Sequence, residues 1–264
     1  MIKMKCYKVF ALVYRDFRIF RNMKYKSIEL FYFPVSAIII WGLFATFVRD
    51  SALEAGLIVL VIQVFWSFAH SAQSATNVSM MEDVWSGSLK HIFVSGISST
   101  EYMLARMISS AINSVIMVMA LLGLSHYVFG VQLIASEFPA VMGFIALTLI
   151  ASLALAVLVA GMILSMGREY GFLAWTAMEA FILLSAPFYP ASIFPGFVQP
   201  ITWVMPFTNV FEGMRLLVTS GVVDAGFLIN GAVVSLGYLI ISFPFYTAVF
   251  RRAKRNGNLV RMGS

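Results

Sequence analysis

Charged side chains are scarce in this chain: Asp, Glu, Lys and Arg make up 11% of 264 residues. A soluble domain carries about a quarter. Hydrophobic residues reach 61% and the mean hydropathy is +0.90. A water-soluble fold built from this composition would lack the polar surface to cover its core. Cysteine is almost absent; Cys6 alone excludes an internal disulfide and with it a disulfide-stapled module. Histidine is limited to His70, His91 and His126, scattered without metal-ligand spacing, so no metal site is expected. No Gly-Lys dipeptide occurs, which excludes a phosphate loop of the Walker type. No nucleophile–base–acid set stands out either, and the chain is not expected to be an enzyme by itself.

What the sequence has in abundance is uninterrupted apolar length. A hydrocarbon core about 30 Å thick needs roughly 20 apolar helical residues. Residues 30–48, 55–81, 107–136, 138–167 and 225–250 meet that need, and a further crossing fits in 171–186. The expected fold class is therefore an all-α integral membrane protein with six transmembrane helices, forming one domain over residues 1–264. Eight basic residues precede the first stretch, five follow the last, and Lys90, Arg106 and Arg168 fall in connections on the same side. Sixteen of the 18 Lys and Arg thus share one face, with Arg49 and Arg215 opposite. The positive-inside rule makes that face, and both termini, cytoplasmic in the cell (plasma or inner) membrane. Anionic inner-leaflet lipid accounts for the net charge of +6, so no nucleic-acid partner is inferred.

Residues 1–27 show no short apolar core followed by a cleavage site. Cys6, Val9 or Phe10, Val13, Phe17 and Phe20 instead recur at helical spacing among basic residues, the pattern of an amphipathic helix in the inner interface. The tail at 251–264 is basic.

Three segments depart from a plain set of spans. In the connection 79–106, Glu82, Asp83, Trp85 and Leu89 fit a short amphipathic helix weakened by Gly87, while Ser98 and Glu101 form an S-x-x-E capping box. A solvated loop is the competing reading there. In 187–224, five of the eight prolines crowd between Pro187 and Pro206, and proline breaks helices. The segment is too apolar for an exposed loop, so short re-entrant helices on the outer side are expected, with Tyr189 and Trp203 as interface anchors and Glu212 pairing with Arg215 three residues on. Finally, Glu179 falls near the middle of the fifth stretch, where an ionisable group is costly and points to a polar path. A protonated acid hydrogen-bonded between helices is the alternative. Gln63, His70, Gln73, Asn77 and Asn113 read as interhelical hydrogen-bonding groups.

These stretches resemble the membrane subunits of ABC-2 type exporters: a basic amphipathic helix at 5–26, an acidic-aromatic helix at 82–89 followed by SGISSTEYMLAR, and FYPASIFPGFVQPITWVMPFTNVFEGMRLL. The last, running Tyr-Pro, Phe-Pro-Gly, Gln-Pro, Met-Pro-Phe-Thr and Phe-Glu-Gly-Met-Arg, is the most specific. The resemblance implies half of a translocation path, completed by a second copy or a sister permease. It implies separate ABC ATPase subunits that hold ATP and Mg, so this chain binds no cofactor of its own. Glu82, Asp83, Trp85 and Leu89 would contact the ATPase. Tyr189, Pro190, Pro195 and Pro206 would shape an outer gate that Glu212 and Arg215 stabilise. The expected substrate is amphipathic (a drug, lipid or lipid-linked glycan). The competing function is an ion-gradient-driven secondary transporter using Glu179, a class that often carries paired broken helices in two repeats; the single proline-rich break argues against it.

Overall fold

The computed structural model describes residues 5–22, 24–132 and 136–255, and among them the chain is helical without strands. The helices are α1 (Cys6–Asn22), α2 (Lys24–Phe47), α3 (Arg49–Trp85), α4 (Ser88–Val94) and α5 (Ser99–Phe129). They continue as α6 (Phe138–Met166), α7 (Leu173–Leu184), α8 (Gln199–Val204), α9 (Thr208–Ser220) and α10 (Ala225–Arg255). Four of them, α3, α5, α6 and α10, are long and apolar enough to cross a membrane, and the apolar part of α2 (Phe31–Phe47) is a shorter candidate. The chain is a multi-pass membrane protein.

Local chemistry explains the breaks. Helices α2 and α3 form a tight hairpin joined at Val48, with non-helical backbone at Ala52. Gly56 lets the two approach: a Cβ there would sit 3.0 Å from the Ala45 Cα. The expected capping box is present at the start of α5, where the Glu101 N–H donates to Ser98 Oγ (3.2 Å) and the Ser98 N–H to Glu101 Oε2 (2.8 Å). The stretch expected as one crossing at 171–186 is a 3₁₀ turn (Arg168–Phe172) followed by the 12-residue α7. At about 1.5 Å per residue, α7 alone is about 18 Å long. Pro187 disfavours helix in the residue before it, and Ala186 there adopts φ 52°.

Two apolar cores stack along the bundle. One joins α2, α3, α5, α6 and α9 through Ile38, Phe65, Phe68, Leu121, Phe144 and Phe211. The other lies at the basic end and joins α1, α4 and the nearby ends of α3, α5, α6 and α10 through Leu12, Met81, Leu89, Tyr102, Ile163 and Phe250. Helix α1 buries Val9 and Leu12 in this second core but leaves Phe10 and Phe17 outward, 71% and 58% exposed. That outward row has the chemistry of a helix lying at a lipid interface.

Candidate functional site

At the basic end, four helices meet on buried charge. Arg106 on α5 is 2% exposed; its Nη1 donates to Asp16 Oδ1 on α1 (2.6 Å), and its Nη2 lies 3.0 Å from Asp83 Oδ2 at the end of α3. Asp16 Oδ2 accepts from Ser109 Oγ (2.9 Å). Asp83 accepts from Arg15 Nη2 (3.1 Å), from Tyr102 Oη (2.7 Å) and from Ser88 Oγ at the start of α4 (2.9 Å). The Arg106 guanidinium also lies over the Tyr102 ring, 5.0 Å from its centre. Two carboxylates and two guanidiniums balance, which is the condition for keeping such charges out of water. Glu101 extends the junction, taking the Lys5 backbone N–H at 2.8 Å, and Lys8 Nζ donates to the Gly96 carbonyl beyond α4. Helix α4 is thus tied to α1, α3 and α5 at once.

This geometry revises how the connection 79–106 is read. Helix α3 runs through Glu82 to Trp85, and the separate short helix is α4, Ser88–Val94. Gly87 divides them, at φ 69°, a conformation glycine adopts without a Cβ clash. Of the residues expected to face an ATPase, Asp83 (6% exposed) and Leu89 (5%) turn inward, and Glu82 is half-buried. Trp85 is exposed and stacks on Trp175 of α7 with ring centres 5.9 Å apart. Lys90, His91 and Val94 complete the outward face of this corner, Val94 being 86% exposed. Sequence reasoning missed Asp16 and Arg106; Asp16, the sole acid among the first 28 residues, was the available signal.

At the proline-rich end, Glu212 and Arg215 pair as expected, at 2.7 Å on α9. Arg215 Nη2 also donates to the carbonyls of Ala186, Pro187 and Tyr189, each at 2.9 Å. Glu212 Oε1 accepts from the Ala191 N–H at 2.7 Å. Non-helical backbone leaves its polar groups unpaired unless something else supplies partners, and one ion pair supplies them here. Pro190 precedes the 3₁₀ turn Ala191–Ile193, and the Pro195 carbonyl accepts from Val198 N–H at 2.8 Å. Pro190 and Pro195 are exposed, Tyr189 is half-buried and Pro206 is buried. Phe188 stacks on Trp66 (5.4 Å) and lies 6.0 Å from Trp41, seating the segment on α2 and α3.

Between the two ends, Glu179 on α7 points outward, its side chain 51% exposed, with His70 Nε2 of α3 4.0 Å from Oε1. His70 Nε2 is also 3.2 Å from the Trp175 carbonyl, and Gln73 Nε2 donates to the Ala174 carbonyl at 3.4 Å. Of the polar groups expected between helices, His70 and Gln73 join α3 to α7. Gln63 donates within its own helix, to Ser67 (3.2 Å), and Asn77 is fully buried without a hydrogen-bond partner among the described residues.

The comparison with curated proteins returned no match. Residues 7–218 match the model of a protein family described as ABC-2 type transporter, a span that takes in all three of these places.

Proposed function

From the membership of this chain in the ABC-2 type transporter family, which makes it a permease of an ABC-type transporter, we propose that it is the membrane half of an ATP-driven exporter. Two copies, or this chain and a sister permease, enclose the path. Separate ABC ATPase subunits, holding ATP and Mg, dock on the basic end, which faces the cytoplasm of the plasma or inner membrane. Six crossings, with α2 and α7 as the two shorter ones, put both termini on that side. The segment 187–224 dips into the outer leaflet as re-entrant turns, forming a gate at Tyr189, Pro190, Pro195 and Pro206 held by Glu212 and Arg215. The substrate is amphipathic, a drug, lipid or lipid-linked glycan, and Glu179 borders its path.

The observation that carries this reading is the buried charge junction at Asp16, Asp83 and Arg106. An ATPase closing on ATP must move the bundle through a small contact. Helix α4 can transmit that movement because Ser88 and Leu89 anchor it to the same buried network and core that hold α1 and α5. Packed elements transmit displacement in discrete shifts because protein interiors do not deform continuously. Glu82 and Trp85 with Lys90, His91 and Val94 supply the contact surface; Asp83 positions it from beneath.

Co-purification with an ABC-type ATPase tests the proposal. Val94→Asp on α4 leaves the fold intact, since Val94 packs on nothing inside. It is expected to lower ATPase retention at least tenfold or to uncouple hydrolysis from transport, as is Trp85→Ala. Unchanged retention and coupling in both variants would remove α4 as the docking element. Proton-coupled uptake by the chain reconstituted alone would replace the exporter reading with the secondary-transporter one.

A further inference from the structure

The surface around Glu179 is unsuited to lipid. The side chain is half exposed on a helix whose outward face is otherwise mostly apolar, Trp175 and Leu183 being 38% and 61% exposed, and the exposed Thr176 Oγ1 donates back to the Phe172 carbonyl. An ionised carboxylate at membrane depth needs a cation or a wet cavity. Among the described residues the ionisable group at contact distance is His70, at 4.0 Å, longer than a charge-assisted hydrogen bond of about 2.7–2.9 Å. The apolar stretches of a second copy would hold no Lys or Arg to pair with it. No Lys or Arg occurs at 27–48, 50–89, 107–167, 169–214 or 216–250, and Arg215 is committed to Glu212 and three carbonyls at the proline-rich end. One helical turn before Glu179, the Trp175 ring stacks on Trp85, both partly exposed, offering the aromatic face that attracts a cation.

We infer that Glu179, with His70 and Trp175, recognises the positively charged head of an amphipathic cation as the transported class. The inference rests on reading this chain as a permease whose path passes α3 and α7. Carboxylate supplies charge, the tryptophan supplies a flat apolar contact, and His70 holds α7 against α3 through the Trp175 carbonyl. Anionic lipid-linked glycans are disfavoured by the same carboxylate.

The test uses the full chain in nanodiscs, corrected against empty discs, with tetraphenylphosphonium as cation and tetraphenylborate as its anionic near-isostere. The unmodified chain is expected to bind the phosphonium saturably and the borate only as empty discs do. Glu179→Gln is expected to weaken phosphonium binding at least tenfold, and Glu179→Asp less than that. Equal saturable binding of both ions by the unmodified chain, no saturable phosphonium binding, or equal phosphonium binding by a folded Glu179→Gln variant would each overturn it. Comparing the two ions on the unmodified chain keeps the test decisive where Glu179→Gln does not fold. ATPase retention measured on the same preparations separates the two claims. Retention with no discrimination between the ions sinks the cation site alone, and lost retention with discrimination intact sinks the exporter reading alone.

Discussion

Arg106 shows how a single side chain acts in two settings. Its charge belongs to the basic end of the chain, yet only 2% of the residue is exposed. The ion therefore depends on Asp16, Asp83 and Tyr102 for what water would otherwise provide. Removing one partner from a buried ion pair costs about 3–5 kcal/mol, because the remaining charge is left uncompensated. Arg106→Met is accordingly expected to destabilise the detergent-solubilised chain by about that amount, read as a lowered thermal-unfolding midpoint. Substituting Asp16 as well should add much less than the sum of the single effects, since the two residues share one interaction. Additive losses would show that Arg106 acts through packing. Sequence pattern could mark Asp16 as odd within a basic helix, but its partner lies 90 positions away, beyond the reach of any local periodicity.

At the scale of helices, α6 and α10 pack closely against each other at Gly161. Gly161 leaves no room: a Cβ there would meet Phe245 at 2.7 Å and the Tyr246 Cα at 3.4 Å. Alanines line the same part of α6, with Ala151, Ala154, Ala156 and Ala160 fully buried. Small residues let helices pack in lipid, where no hydrophobic drive exists between them. Gly161→Leu should force α10 away from α6 and lower the yield of folded, monodisperse protein in size-exclusion chromatography. Gly237→Leu, where open space surrounds the Cβ position, should behave as the unmodified chain. Hydropathy made α6 and α10 evident as spans; which face of each carries the seam depends on the neighbour. Helix α7 shows the same division. Its apolar composition was plain, but its early stop follows from Pro187 and from Arg215, which captures the carbonyls beyond its end.

For the molecule as a whole, topology is the property that joins charge to mechanism. The proposed topology, six crossings with both termini inside, would place Cys6 and the proline-rich segment on opposite sides of the membrane. Cys6 is the chain's one cysteine and is exposed, so it reports one side without engineering. A membrane-impermeant maleimide should label it only after permeabilisation of intact cells. In a Cys6→Ser background, a cysteine replacing Phe197, 81% exposed, should be labelled in intact cells. Labelling of both positions from one side would require a different number of crossings and would separate the proposed docking corner from the side where ATP is found.

Composition and the spacing of apolar and basic residues were enough to determine the solvent, the helical class and the Glu212–Arg215 pair. Each of those follows from local pattern: span length, face charge or a three-residue helical interval. Tertiary structure alone decided that Asp83 turns inward, that the separate short helix is Ser88–Val94, and that Glu179 faces outward beside His70. The physical reason is common to all three. Burial and pairing of a charged side chain depend on which distant helix supplies the opposite charge, and only the packed bundle brings α1, α3, α5 and α7 close enough to decide it.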